Sequence, residues 1–310
     1  MKKRLLALLL AFVLVVSCLP HVALAEDTQP EGQEQETTTE AVEQTTEETV
    51  DVPEPHGHER NNHVCEDCED QTVVWQKWET PNALPRTSGH YYLSCDISLT
   101  SVNNILELKE NKDVVLCLNG YTINCNGGRR AFSVFDTCRL TITDCTAHTD
   151  AAGNYVAGQA INGKTAMGGL VYAQDLSTFQ MLAGKLVDAE CTQTAAGGWG
   201  GGVIHARNDA KIILKNCEIS GGSCAAEGGV IAMRQNTTLE MDGVTVKDST
   251  AATKGGAIYA DSSANKVTLK NSTFENNTAS AGGGVIYANG GTVTLEKCTF
   301  KNNSSATMAV

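Results

Sequence analysis

The chain has 310 residues, 23 Lys and Arg against 36 Asp and Glu, a formal net charge of −13, 5% aromatic residues, 29 Gly and 12 Cys. A chain this acidic lacks the basic footprint that phosphate backbones demand, so a general nucleic-acid binder is excluded. Glycine follows no three-residue period, which excludes a collagen, and a single long apolar run, at the N-terminus, excludes a multipass membrane protein.

Residues 1–25 read as a secretory signal. Lys2, Lys3 and Arg4 supply the positive start, Leu5 to Val16 the apolar stretch, and Ala23-Leu24-Ala25 the small-x-small cleavage site. The mature chain is then expected outside the cell, secreted or at the cell surface, with no transmembrane span. A second reading takes Val15-Val16-Ser17-Cys18 as a lipobox, which anchors a lipoprotein through Cys18. Residues 26–55 carry eleven acids and no base, with Thr and Gln between them. Such a segment cannot bury enough apolar surface to order itself, and a disordered acidic linker is expected. It serves either as a stalk or as a solubilising leader.

Residues 56–83 form a small junction in which His56, His58, His63, Cys65 and Cys68 cluster. Cys65-Glu66-Asp67-Cys68 has the spacing of a metal knuckle, and thiolate plus imidazole suits tetrahedral zinc. One reading is a structural zinc held by Cys65, Cys68, His63 and either His58 or His56. The others are a Cys65–Cys68 disulfide and an unstructured stretch.

Residues 84–310 are organised by repeats. Gly-Gly followed by two apolar residues recurs at 201–204, 228–231, 255–258 and 283–286, at spacings of 27, 27 and 28, with a weaker copy at 168–171. Between these lies a second segment, at Leu140–Ala147, Ile212–Ile219, Leu239–Val246, Val267–Phe274 and Val293–Phe300. Its apolar positions run i, i+2, i+5, i+7. The first two columns are Leu140, Ile212, Leu239, Val267, Val293 and Ile142, Leu214, Met241, Leu269, Leu295. The third is Cys145, Cys217, Val244, Ser272, Cys298, and the fourth Ala147, Ile219, Val246, Phe274, Phe300.

Period 2 means strand, and the phase break at Lys215-Asn216 or Lys270-Asn271 is a corner where Asn tolerates a left-handed backbone. With the Gly-Gly strand this makes three short strands per coil of about 27 residues, all-β, stacked like on like. That is a right-handed parallel β-helix. Residues 84–127 are expected as an entry coil, with strands at Tyr91-Tyr92-Leu93 and Val114–Leu118, and residues 148–166 as a loop excursion. The chain stops at Thr307-Met308-Ala309-Val310, where the next Gly-Gly strand should begin, so the helix is expected to continue beyond 310.

Gly255-Gly256-Ala257-Ile258 followed by Phe274-Glu275-Asn276-Asn277 resembles the paired repeats of chlamydial polymorphic outer membrane proteins, and Gly283–Ile286 with Phe300-Lys301-Asn302-Asn303 is a near copy. Leu116-Cys117-Leu118-Asn119-Gly120-Tyr121-Thr122-Ile123 is similar to the first coil of many pectin-lyase-like proteins. The outer membrane resemblance implies surface exposure and adhesion, and residues 1–310 depart from that family's pattern in showing no C-terminal membrane barrel. The clustered Asp ligands of calcium-dependent pectate lyases and the Asn-Thr-Asp, Asp-Asp and Gly-His-Gly signatures of polygalacturonases are absent.

If Ile204, Ile231, Ile258 and Ile286 point inward, then Tyr172, His205, Ala232, Tyr259 and Tyr287 form an outward column. Gln174, Arg207, Arg234, Asp261 and Asn289 form the next. Tyr rings beside Arg suit an extended acidic glycan, whereas Tyr is also a favoured strand residue with no further task. The candidate ligand-binding residues are Tyr172, His205, Arg207, Arg234, Tyr259, Asp261 and Tyr287, and no catalytic residue is assigned. The leading expectation is an adhesin or glycan-binding scaffold whose partner is an extracellular glycan or a cell-surface ligand. One alternative is a polysaccharide lyase in which His205 or Tyr259 is the base; the other is a structural spacer. After signal removal eleven cysteines remain, an odd number, so at least one is unpaired or pairs between chains.

Overall fold

The computed structural model describes residues 73–195 and 199–306. The expectations for the signal, the linker, the lipobox and the zinc cluster (His56, His58, His63, Cys65, Cys68) lie outside the described residues.

The regular structure of the described residues is strand, with one short 3-10 turn at Val102–Asn104 and no α-helix. Its strands form four stacked parallel sheets. Sheet I has nine strands, from Trp75–Trp78 to Thr292–Glu296, so it begins before residue 84. Sheet II has eight, from Ile97–Ser98 to Thr299–Lys301. Sheet III has six two-residue strands, from Lys164–Thr165 to Ser304–Ser305, and sheet IV seven, from Leu106–Leu108 to Ile286–Ala288. One coil visits sheets I, II, III and IV in turn. The short strand of sheet III accompanies the three longer ones.

Like residues stack because each coil pairs in register with the next. In sheet I one inward column runs Tyr91, Leu116, Ile142, Met181, Leu214, Met241, Leu269, Leu295. Its members are buried as far as Leu269, and each such side chain contributes about 1.5–3 kcal/mol by leaving water. Leu295 and Phe300, on the last described coil, are 49% and 45% exposed.

Left-handed residues turn the corners. Between sheets I and II stand Asn216 (φ 44°), Gly243 (φ 66°) and Asn271 (φ 47°), at the phase break read from the sequence. Between sheets II and III stand Asp188, Asp248, Asn276 and Asn302, at φ 50–56°. Asn and Asp carry this conformation at lower cost than other side chains.

Three expectations need correction. First, residues 84–127 are not one coil, since Tyr91 and Leu116 are register partners in successive coils. Second, residues 148–166 are only partly an excursion. The strands His148–Thr149 and Tyr155–Val156 pair antiparallel as a hairpin, but Gln159–Ile161 lies in sheet II and Lys164–Thr165 opens sheet III. Third, Cys145 and Ala147 do not share columns with Cys217 and Ile219. The excursion intervenes, Ala160 occupies the fourth-column place, and a further coil carrying Phe179, Met181 and Leu186 lies between. That coil keeps the i, i+2, i+5, i+7 spacing, but its third position is Gly184, whose missing side chain hid the pattern. A methyl group there would sit 2.8 Å from Met181 Cε and 2.9 Å from Leu118 Cδ1.

Candidate functional site

Among the described residues, sheet IV carries an outward column with aromatic rings on several coils. Its inward residues Val171, Ile204, Ile231, Ile258 and Ile286 are in register. Alternation therefore turns Tyr172, His205, Ala232, Tyr259 and Tyr287 outward in one row, as the sequence implies. The rings stack along it. Tyr172 and His205 lie 5.3 Å apart at 8°, and Tyr259 and Tyr287 lie 5.7 Å apart at 8°.

Outward does not mean exposed on this face. Tyr172 is 8% exposed, Tyr259 6% and His205 0%. The indole of Trp199 stacks on His205 at 6.3 Å and 2°, and the guanidinium of Arg234 stands 3.9 Å above it. Arg234 follows directly on the strand Ile231–Met233 that carries Ala232, so Trp199, held between His205 and Arg234, lies on the Ala232 side of the row. Trp199 lies outside the periodic columns, so spacing does not place it in the site. The available signal was a lone Ala in a column of rings, which implies that something larger lies over it.

Cations border the row. Arg130 stands 4.8 Å over the Tyr172 ring, Arg207 5.6 Å over Trp199, and Lys254 4.4 Å over Tyr287. Such placements gain from the ring quadrupole, by about 0.5–2 kcal/mol each. Burial pulls the Arg130 guanidinium down to about 10. Arg207 Nε donates to Gln174 Oε1 at 3.0 Å, and Arg234 Nε pairs with Asp261 Oδ2 at 2.9 Å. Lys254 Nζ donates to the Tyr287 hydroxyl at 3.1 Å. The predicted residues are thus brought together, with Tyr287, Arg207, Arg234 and Asp261 partly open to solvent.

His205 is sealed under this cover. Its Nδ1 lies 3.1 Å from the Gly200 carbonyl, which marks Nδ1 as the protonated nitrogen, and desolvation lowers its pKa to about 4. Burial raises the pKa of Tyr259. A general base must reach the proton it removes, either directly or through one water. His205 is fully buried and Tyr259 nearly so, which leaves His205 without that reach.

Four parallel sheets closed around one apolar core define the chain as a right-handed parallel β-helix. A family model described as a right handed beta helix region matches residues 166–310, the part that carries the regular Gly-Gly coils. No curated protein and no solved structure matches the chain. The fold is that of a scaffold or surface-type protein in general, and a fold by itself assigns no chemistry. Among the described residues no helix is long and apolar enough to cross a membrane.

Proposed function

We propose that this chain is a secreted or surface-displayed scaffold that binds an extended acidic glycan along the outer side of sheet IV. The observation that carries the reading is the cationic border, Arg207, Arg234 and Lys254, set over two stacks of rings on an otherwise acidic chain. Successive coils rise about 4.8 Å, so a linear polymer lying along the axis passes the cations of successive coils and the open ring of Tyr287. Guanidinium and ammonium groups pair with carboxylates, while the half-exposed Tyr287 offers an apolar face and a hydroxyl. The Gly-Gly-Ala-Ile and Phe-x-x-Asn repeats support surface display through their likeness to the chlamydial polymorphic outer membrane proteins. The signal at residues 1–25 and the acidic stalk at 26–55 belong to the same reading.

Affinity electrophoresis in gels containing a polyuronate tests it. The unaltered protein is expected to be retarded, and retardation should weaken as salt is raised. Replacing Lys254 and Tyr287 together with Ser should weaken binding about tenfold or more, the loss expected of one cation–carboxylate contact and one ring contact. Both side chains are partly exposed, so the variant should remain folded. Unchanged retardation of the folded double variant, or no retardation of the parent on any anionic polysaccharide, contradicts the proposal.

A further inference from the structure

The hairpin excursion 144–157 builds a second feature, remote in role from the aromatic row. A cavity of about 380 Å³ opens at the corner of sheets I and II, lined among others by Thr141, Thr143, Asp144, Cys145, Tyr155 and Asn216. Tyr155 pins the excursion over it. Its hydroxyl donates to the Asn216 carbonyl at 2.8 Å and accepts from Gly184 N–H at 2.9 Å.

Asp144 and Cys145 line this cavity, and with Cys117 behind them the two Sγ atoms and a carboxylate oxygen of Asp144 all lie within 4.8 Å of one another. The two sulfurs are 3.4 Å apart. Two thiolates bound at about 2.3 Å to a tetrahedral ion stand roughly 3.8 Å apart, so a shift of a few tenths of an ångström suffices. All three side chains are buried, at 0%, 6% and 4% exposure. The carboxylate is held rigidly. Asp144 Oδ1 accepts from Gly120 N–H, Thr146 N–H and the Thr146 hydroxyl, while Oδ2 accepts from Gly158 N–H and keeps a further lone pair. Asn119 is also fixed, with Nδ2 on the Leu93 carbonyl at 2.9 Å and Oδ1 3.6 Å from Cys145 Sγ. Oriented carboxylates and amides of this kind are how proteins set the geometry of metal ligands.

We propose that Cys117, Cys145 and Asp144 form a site for a thiophilic divalent cation of the zinc class, with the fourth coordination position facing the cavity. Two sulfurs and one carboxylate oxygen match the ligand set of such an ion, and three protein ligands with one open position match a site that admits water or a small ligand. Binding releases the two thiol protons to solvent, and the cation offsets two of the three negative charges left behind. Thr143 pairs with Cys117, and the turn at 144–147 stacks on the equivalent turn at 118–121, so Asp144 and Cys145 lie beside Cys117 of the preceding coil; the hairpin that follows brings Tyr155 to the cavity they line.

The test uses the full chain, reduced and anaerobic, with Cys65→Ser and Cys68→Ser so that the N-terminal cluster does not compete. Co²⁺ alone is the probe. One equivalent is expected to give an intense thiolate-to-cobalt charge-transfer band that Zn²⁺ bleaches. Cys117→Ser and Cys145→Ser should each abolish the band, and Asp144→Asn should weaken Co²⁺ binding roughly ten- to a hundred-fold. Native mass spectrometry of the Cys65→Ser, Cys68→Ser chain with Zn²⁺ gives the stoichiometry with Cys117, Cys145 and Asp144 unaltered. No charge-transfer band in the folded parent, a band that survives in Cys117→Ser and Cys145→Ser, or a Cys117–Cys145 disulfide in protein purified without reductant and free of metal overturns the proposal.

Discussion

Gly229→Ala is expected to destabilise the protein by about 3–5 kcal/mol, at the upper end of what single substitutions do. The two glycines of each Gly-Gly pair serve different ends. Gly228 lies at φ 69°, and its place turns the chain from sheet III into sheet IV. Gly229 has no positive φ, yet a methyl group there would lie 2.1 Å from the Gly256 carbonyl oxygen of the next coil and 2.8 Å from the Thr250 carbonyl oxygen. Both obstacles are backbone, so no side chain can swing away, and relief requires neighbouring coils to part. Gly202 and Gly256 face the same approach, at 2.0 and 2.1 Å. Urea melts of Gly229→Ala beside Gly128→Ala check this. Gly128 has nothing within 4 Å of an added methyl, so its variant should stay within about 0.5 kcal/mol of the parent. Equal midpoints for the two variants would contradict close stacking at this corner.

Asn277→Ala is expected to cost about 3 kcal/mol or more. Asn277 is fully buried at the corner of sheets II and III, where an apolar residue would be the default. Its Oδ1 accepts from Ser249 N–H and from the Ser249 hydroxyl of the coil below, and its Nδ2 donates to the Val246 carbonyl at 3.2 Å. Asn303 continues the ladder above, its Oδ1 accepting from Asn277 N–H at 2.9 Å and from Asn277 Nδ2 at 2.9 Å. Truncation to Ala removes one member and strands several partners at once, each costing about 1–3 kcal/mol when left unsatisfied in the interior. Asn303→Ala, at the more open end, should cost less. Guanidinium denaturation of the two variants decides the order, and an Asn277→Ala midpoint equal to the parent's would show that the ladder carries no weight. The Asn of the Phe-x-x-Asn repeat is therefore an internal hydrogen-bonding post, one position past the residue that turns the corner.

The fold was legible because solenoid packing writes itself repeatedly into the chain. Leu214, Met241 and Leu269 must be apolar for the same reason in each coil, so their spacing could be read without any structure. The coil at 178–187 was harder to see because Gly184 stands where the column expects a side chain. Cys145 was misplaced because an inserted hairpin mimics the spacing of a corner. The row on sheet IV was legible as a row, since alternation fixes which residues face outward. Its cover was not. Trp199, Arg130 and Lys254 come from the turns that precede the sheet IV strands, and turns have no period to reveal where a side chain lands. The Cys117–Asp144–Cys145 cluster joins two successive corners whose residue types do not repeat from coil to coil, so no column reveals it.

Distances between spin labels along one outward column test in-register stacking most directly. Asp113, Arg139, Thr178, Lys211, Thr238, Lys266 and Thr292 are successive register partners on sheet I. With one label at Thr292, introduced through a bio-orthogonal residue that spares the native thiols, the second is placed at Lys211, Arg139 or Asp113. At about 4.8 Å per coil, the separations for three, five and six coils should centre near ~14, ~24 and ~29 Å. Distances that rise in those steps are what coils stacked in register require. Distances that fail to rise in coil order, or a Thr292–Asp113 separation far from that value, would contradict it.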